Sequence, residues 1–579
     1  MIRILLVLTA LVSAGLLSHP PAMAAISGQV VDAVSGDPIA NARVRVQATT
    51  TEPALTDADG RFVLDSAIEG SAVVTAVLPH DPDRPINYIT AATMASDGDD
   101  VTLALPRVPE NDIAFPWEPG TSFTCAGCHN DQHSEWQDSN HSNAGLNEWV
   151  LDLYSGTGTP GGEEGYVFRD THDPDDTGFC ATCHAPLADA QNPGGVFLDE
   201  VTLIGGLDGV TCLACHQMSE VNENVSALHH LGNTLYRFPD DDFTELWVWG
   251  PLDDVSFSSM RASYQPQFSE SRFCASCHEY NNPETDAPGQ NTYTEWLASP
   301  FAEAGQSFRS CQDCHMPAAE QPGPISSLGG QPIRAAEQRR SHRFRGSTPT
   351  SLAEAIDLEL EVVRDGGELT VAATVTNAGA GHHFPTGISI RNALLVIEAR
   401  GDGQPLEQIA GETIPFYGSA NGLATADDLA GRPGKGFARV LEGRINGQGE
   451  VVRPVLFIDA EGVWADTRIP SGQSDRSEYR FQATGLDEQS EIEIEARLLY
   501  RRAWRDTVVT KGWTTTPTGG PIEIEVDRRE IQTDLGAIPG LPAPPPFAVP
   551  MLNPLAVLLL ALALLLIGGG LQASRSRAM

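Results

Sequence analysis

Positive charge is scarce in this sequence. Lys and Arg total 36 against 77 Asp and Glu, a formal net charge of -41 over 579 residues. That balance excludes nucleic acid as a partner, because phosphate binding needs a basic footprint. It fits a heavily solvated surface, or one whose field steers basic partners. A hydrophobic fraction of 41% supplies globular cores but not a polytopic membrane protein. The chain has no Gly-x-Gly-x-x-Gly or phosphate loop joined to a βαβ pattern and no His-Glu-x-x-His metal site, so nucleotide-dependent and zinc-protease chemistry have no support.

The apolar runs that do occur lie at the two ends. Arg3 precedes an apolar run from Ile4 to Leu17, followed by Pro20-Pro21 and Ala22-Met23-Ala24. A charged start, a short apolar core and a small-x-small site predict a signal peptide over 1–24 and export. At the other end, Pro554 to Leu571 is an uninterrupted apolar stretch of 18 residues followed by Arg575 and Arg577. As a helix it would be about 27 Å long, so a single C-terminal transmembrane helix is expected over 554–571. Positive residues stay cytoplasmic, which puts the body of the chain in the periplasm, anchored to the inner membrane. Residues 528–552 read as a Pro-rich linker. Ile538-Pro539-Gly540 through Val549-Pro550-Met551-Leu552, with the apolar run and arginines, also resembles bacterial C-terminal sorting tails. That resemblance implies removal of the anchor by a dedicated membrane protease.

All ten cysteines fall in pairs with two residues between them: Cys125 and Cys128, Cys180 and Cys183, Cys212 and Cys215, Cys274 and Cys277, Cys311 and Cys314. The next residue is always histidine: His129, His184, His216, His278 and His315. With only 15 His in the chain, five such followers would arise by chance about once in 10⁸. Cys-x-x-Cys-His is the attachment signature of c-type haem. Two thiols add to the haem vinyl groups, and the adjacent imidazole binds the iron axially. Zinc would join the cysteine pairs two by two, leaving one over, and needs no following histidine. A disulfide framework suits an exported chain but leaves the histidines unexplained as well. Five covalent haems c are expected.

Around the haem region the sequence turns to strands. Val44 and Val46 alternate with Arg43 and Arg45, Phe62 and Leu64 share a face, and Ser35-Gly36-Asp37-Pro38 and Asp57-Ala58-Asp59-Gly60 supply turns. Residues 26–107 therefore read as a β-sandwich. The stretch from Gly28 to Val44, with Thr56-Asp-Ala-Asp-Gly-Arg-Phe62, resembles the carboxypeptidase regulatory-like domain, which implies a structural or docking module without peptidase activity. Residues 115–346 hold all five motifs. Five haems in so short a region leave no room for an ordinary apolar core, so a mostly helical and loop-rich core wrapped on stacked macrocycles is expected, with each motif opening a short helix. From 352 to 527 alternation returns in Ile356-Asp-Leu-Glu-Leu-Glu-Val362, with Asp365-Gly366-Gly367 as the turn, and in Glu491-Ile-Glu-Ile-Glu-Ala496. An immunoglobulin-like β-sandwich is the natural reading.

The sixth position of each iron separates a wire from an enzyme. The histidines outside the motifs are His80, His133, His141, His172, His229, His230, His342, His382 and His383. Apart from His80 they fall into about five groups, a number that suits bis-histidine ligation. Cys125-Ala-Gly-Cys-His129 followed by Trp136-Gln-Asp-Ser139-Asn-His141 resembles the multihaem cytochromes that include the electron acceptor of hydroxylamine oxidoreductase. Thr294-Glu-Trp296-Leu-Ala-Ser299-Pro, leading to Cys311-Gln-Asp-Cys-His-Met-Pro317, resembles later motifs of that group. The resemblance implies His141 as a distal ligand. Pro300-Phe301 stand where the family often places histidine, so one haem is expected to be ligated differently. His342, in Ser-His-Arg-Phe-Arg-Gly, and His382, in Gly381-His-His-Phe-Pro-Thr-Gly387, resemble distal segments too. His172, His229 and His230 complete the candidate set. If His382 reaches an iron, the second sandwich is locked onto the haem body, with Arg391 placed to pair with a propionate. Met316 directly follows a haem histidine and is expected to pack.

Three functions follow. The first is electron transfer through low-spin haems to redox protein partners, with basic cytochromes or a quinol-oxidising membrane protein as the expected classes. The second is an oxidoreductase acting on a small nitrogen or sulfur compound at one open haem. The third is a docking protein whose haems relay electrons within an assembly. No motif replaces its histidine with Lys, as the active haem of the nitrite reductase family does.

Overall fold

A computed structural model of the chain describes residues 25–65, 70–108, 125–202, 207–221, 235–236, 246–257, 260–420 and 425–541. The expected signal peptide, the apolar stretch 554–571 and the candidate ligands His229 and His230 lie outside the described residues.

The first unit is a pair of small sheets. Strand Ile26–Asp32 lies between Arg61–Leu64, antiparallel, and Asp100–Leu105, parallel. The second sheet runs in the order Ala54–Leu55, Arg43–Val46, Ser71–Val77, Ala91–Ser96. Alternation along Ile26–Asp32 sends every second residue inward, where Ile26 and Val30 meet Val44, Phe62 and Leu64 in one core. Gly28 sits where a Cβ would lie 2.1 Å from the Val101 carbonyl oxygen and 2.7 Å from the Phe62 ring. Only glycine lets the strands close there.

Arg45 departs from the expected outward face and is buried. It reaches Asp253 of the haem region at 3.3 Å, beside Arg43 at 2.7 Å. The neighbouring Asp254 accepts from the Ala48 amide at 2.6 Å and pairs with Arg334 at 2.8 Å. Backbone bonds from His80 to Tyr264 and from Thr90 to Ala262 add to this joint. The first sandwich is thus built into the haem region.

The haem region is a set of short helices joined by loops and small sheets. Four motifs sit in helices of five to seven residues: Cys180–His184, Cys212–His216, Arg272–His278 and Cys311–His315. Thr211 and Ser310 cap two of them by accepting from the Ala214 and Asp313 amides, which satisfies donors that a helix start leaves open. The first motif corrects the expectation that every motif opens a helix. Only residues 125–126 are helical, and Cys128 lies in a turn ahead of helix Asn130–Gln137. Its amide donates to the Cys125 carbonyl at 3.0 Å, and its own carbonyl accepts from the Ser327 amide at 2.7 Å and the Ser327 hydroxyl at 3.0 Å. A carbonyl held by a residue far along the chain is not free to extend a local helical ladder. Small two- and three-stranded sheets, such as Glu279–Asn281 with Pro288–Asn291, were not expected from the sequence either.

The last unit packs a four-stranded sheet on a six-stranded one. Ile356–Asp365 and Glu368–Asn377 form the expected hairpin, closed by Gly366 at φ 57°, a conformation glycine adopts without strain. Leu358, Val371, Leu395, Phe437, Tyr479, Phe481, Ile494 and Leu498 fill the space between the sheets. Phe437 is fully buried, and such burial contributes about 1.5–3 kcal/mol. These sheets hold more than the roughly seven strands of an immunoglobulin constant domain. Strand Glu523–Asp534 pairs along Glu491–Arg501, so residues 528–534 belong to the sandwich and not to the expected linker.

The expected anchor is overturned. Among the described residues no helix is long and apolar enough to cross a membrane. The longest, Asn130–Gln137, has 8 residues against the roughly 20 that a span needs. Over the described residues the fold is two sandwiches around a mixed haem region with no membrane-crossing helix, which corrects the expected fold class with its single C-terminal transmembrane helix. The membrane, expected as a partner through that helix, is withdrawn with it.

Candidate haem-binding site

Each motif histidine has one ring nitrogen tied down. Nδ1 of His129 bonds the Ile325 carbonyl at 2.8 Å, that of His184 the Ala144 carbonyl at 3.0 Å, and that of His216 the Trp249 carbonyl at 2.7 Å. Nδ1 of His315 contacts the Arg345 carbonyl, and that of His278 the Gln290 side chain at 2.8 Å. In His129, His184, His216 and His315 the partner is a carbonyl, so Nδ1 donates and Nε2 keeps its lone pair, the arrangement of a metal-bound imidazole. At His278 the partner is the Gln290 amide nitrogen, from which Nδ1 accepts. Burial holds His216 at about 4 and His278 at about 3, well below the usual value, and lowers His184 as well. Neutral imidazole is the form that binds iron.

Two motif histidines face a second histidine. The rings of His278 and His141 lie 6.3 Å apart, and those of His315 and His382 are also 6.3 Å apart, stacked at 17°. Two metal–nitrogen bonds plus two half-rings require about 6 Å, so an iron fits between the members of each pair. His141 is half-buried, its Nδ1 enclosed with no hydrogen-bond partner, and burial lowers it to about 4. His382, also lowered to about 4 by burial, bonds the His383 carbonyl through Nδ1 at 3.1 Å. His342 bonds the Arg340 carbonyl at 3.0 Å. Burial lowers it, and the nearby His129 adds to that shift; it acts in the same way on His216. Phe344 packs against both His141 and His342.

His172 is placed differently. Its Nε2 lies 3.1 Å from Asp459 and its Nδ1 3.0 Å from the Thr171 hydroxyl, and its ring stacks on Phe168 at 4.2 Å. Among the described residues no ring contact sets it opposite a motif histidine. His133 packs on Trp136, and His80 on Trp249.

Two similar devices position the histidine-bearing turns. Trp136 donates from Nε1 to the Val210 carbonyl at 2.8 Å, just before the third motif. Trp296 donates to the Arg309 carbonyl at 2.9 Å, just before the fifth. Ser139 then accepts from the His141 amide, and Ser299 from the Phe301 amide, each at 3.2 Å. Phe301 thus occupies in the second unit the place that His141 holds in the first.

The motifs also meet one another, out of chain order. The thiols of Cys125 and Cys212, of Cys183 and Cys277, and of Cys274 and Cys311 lie close enough to perturb one another. Cys277 lies close enough to raise the Cys215 thiol, and Cys215 close enough to raise that of Cys274. The first motif therefore adjoins the third, the third adjoins the fourth, and the fourth adjoins both the second and the fifth. Within the first motif, Cys125 makes the link to Cys212, while Cys128 stays close enough to Cys125 to add to the upward shift of its thiol. The turn thus keeps Cys125 and Cys128 together as a pair, although it does not give them the helix of the other four motifs. Cys314, in the fifth motif, is exposed. Among the described residues no group of three or more His, Cys, Asp or Glu side chains converges to hold a metal ion, whereas each motif offers the cysteine pair and imidazole that haem c takes.

The sandwich reaches this site through the loop at His382. Glu295, on helix Thr292–Leu297, accepts from Arg468 at 2.5 Å, from the Thr386 hydroxyl at 2.6 Å and from the His383 amide at 3.2 Å. Asp459, also from the sandwich, had no signal in the sequence: one acidic residue among 77 carries no mark of its place.

Residues 25–103 match the family described as carboxypeptidase regulatory-like domain. Residues 124–217 match the family described as cytochrome c554 and c-prime. The chain therefore carries a regulatory-like domain followed by a c-type cytochrome domain. A penta-heme cytochrome c552 from Thermochromatium tepidum is a structural neighbour at 20% identity and TM-score 0.47, covering 72% of this chain and 99% of that one. No curated protein matches.

Proposed function

We propose that this chain is an exported, periplasmic electron-transfer protein that carries five c-type haems, one on each Cys-x-x-Cys-His motif. The contact order of the motifs supports this reading best: first to third to fourth, with the second and fifth both at the fourth. Every motif adjoins another, so haems held there would lie close enough for electrons to pass along the whole set. The histidine pairs His141–His278 and His315–His382 support bis-histidine ligation of two irons, and His342 is the candidate sixth ligand near His129 and His216. Thioether attachment keeps haem in place outside the cytoplasm, and redox proteins are the partners that such a chain needs.

The intact protein, produced in a host that attaches haem c, is the sample to test. Mass spectrometry with a haem count should give five haems per chain, and a reductive titration should proceed in several one-electron steps. Fewer than five attached haems would remove the reading. Catalysis at one open iron is a second reading, favoured by the engagement of His172 with Asp459. A carbon monoxide difference spectrum separates the two. No change supports a pure carrier, and a shift worth about one haem supports an open site.

A further inference from the structure

The chain holds 77 acidic residues against 36 basic ones, yet the balance reverses around the fifth motif. Between Arg309 and Arg345 six arginines stand against the three acids Asp313, Glu320 and Glu337. Several of these arginines touch the motif itself. Arg340 pairs with Asp313 at 3.0 Å, and the Arg345 carbonyl meets the His315 ring. Burial raises the Cys314 thiol, and Arg309 stands close enough to oppose that rise. Arg309 and Arg345 are exposed, and among the described residues neither side chain takes a carboxylate partner. Arg309 instead donates to the Gln306 and Phe308 carbonyls at 3.1 and 2.6 Å. Two cations thus stay uncompensated in a chain with carboxylates to spare.

The same patch is where an attachment motif opens to solvent. Of the ten motif cysteines, all among the described residues, Cys314 alone is exposed. Phe308 and Leu297 are large apolar side chains that are exposed as well. Trp296, the chain neighbour of Leu297, ties Phe308 and Arg309 to the motif. It meets the Phe308 ring edge-on at 6.2 Å and donates to the Arg309 carbonyl at 2.9 Å. Exposed apolar rings edged by arginine have the composition of a protein interface, where aromatics and Arg are enriched. In the contact order the fifth motif ends a branch at the fourth, and an end is where an electron enters or leaves the set.

We propose that the face formed by Phe308, Arg309, Cys314 and Arg345 is an electron port that docks an acidic redox protein. Charge complementarity names this occupant. The overall charge of -41 attracts basic proteins from a distance. At about 0.1 M salt, exposed charges more than about 10 Å apart are largely screened, so a docked partner meets the arginines and not the distant acids. Its carboxylates face Arg309 and Arg345, and its redox centre faces Cys314. One electron crosses in each encounter. The haem iron held by His315 passes from ferrous to ferric as the partner's centre gains that electron, or the reverse. Encounters of this class need little area, under about 1,200 Å² in total. The port rests on the five-haem reading proposed above.

Plant plastocyanin, an acidic copper protein, and tris(phenanthroline)cobalt(III), a small cation, are the probes, since each accepts one electron. The full-length protein is first checked by peptide mass spectrometry for haem on Cys311 and Cys314. It is then reduced and mixed rapidly with each probe while the haem α-band is followed. Oxidation by plastocyanin should slow about tenfold as salt rises from about 0.1 to about 1 M. Arg309→Gln combined with Arg345→Gln should slow plastocyanin about tenfold at the lower salt and leave the cobalt complex as fast or faster. Arg309→Lys combined with Arg345→Lys should stay within about twofold of the parent, which separates charge from packing. A plastocyanin rate that rises with salt would overturn the inference, because the partner would then be meeting the net acidity of the chain. Equal slowing of both probes by the Gln pair would overturn it too. So would phosphatidylglycerol vesicles that hold the parent but not the Gln pair, with plastocyanin unaffected, since the arginines would then serve a lipid surface. A chain without haem at Cys311 and Cys314 instead removes the five-haem reading on which the port rests.

Discussion

Glu295 of the haem region and Arg468 of the last sandwich meet at 2.5 Å, with side chains 4% and 3% exposed. Arg439 approaches the same carboxylate at 3.5 Å, and both arginines also bind Asp466. The pair is therefore the centre of a network that closes the joint between two units, directly under the loop of His382. Breaking a buried pair leaves an uncompensated charge, which costs more than the bond itself gains.

Replacing Glu295 with Gln should lower stability by about 3 kcal/mol, the low end for a buried pair, because Arg468 keeps Asp466. Thermal unfolding followed at the Soret band and in the far ultraviolet checks it. A change under about 0.5 kcal/mol, the size typical of surface substitutions, would show that the pair is not the joint.

The same network sets an acid limit. Burial pushes the carboxyls of Glu295 and Asp466 up, but the bonds from Arg468 and its neighbours win, leaving Glu295 below its ordinary 4.5 and Asp466 at about 2 against 3.8. Groups lowered on folding contribute stability that is complete above their unfolded values and is lost as pH falls through the folded ones. The joint should therefore hold above about pH 4.5 and weaken toward pH 2, with the His382 loop released before global unfolding. Proteolysis of the 381–387 loop across that range measures it, and cleavage that does not depend on pH would refute the assignment.

Replacing His382 with Ala should leave the iron at His315 with an open side. The variant should bind carbon monoxide at one more haem than the parent, with the remaining spectrum unchanged. An unchanged carbon monoxide count would mean that another residue ligates that iron.

Asp254 and Arg334 are 1% and 2% exposed and join the first sandwich to the haem region. Asp254→Ala should destabilise the protein by about 3–5 kcal/mol and make residues 26–107 separable by mild proteolysis. A freely hinged docking module would show neither effect.

Much of this was open to reading in the primary structure, for identifiable reasons. Alternation marked Ile356–Asp365 and Glu491–Arg501 because one face of each strand is buried and the other wet. The attachment motifs and His141 are local patterns, held by helix caps and by the Trp136–Val210 bond. The turn at Cys128 was not legible, because the Ser327 bonds that hold it come from the far end of the haem region. Which histidine faces which motif is not local either. His141 lies beside His278 of the fourth motif and not beside the first motif that precedes it in the chain, because long-range packing decides the pairing. Arg45 was read as a surface residue, since its partner Asp253 lies far along the chain. The apolar tail suggested an anchor by length and composition, and no described helix supports one.

The pairing of His382 with His315 also bears on how the molecule is made. His315 precedes His382 in the chain, and its motif is complete without the last sandwich. On the proposed reading, an iron held there keeps one face open until the last sandwich folds. A chain cut short within that sandwich would still be fully pigmented, yet would carry a reactive iron. Colour alone is thus a poor measure of a finished protein, and the final domain acts as its certificate of completion.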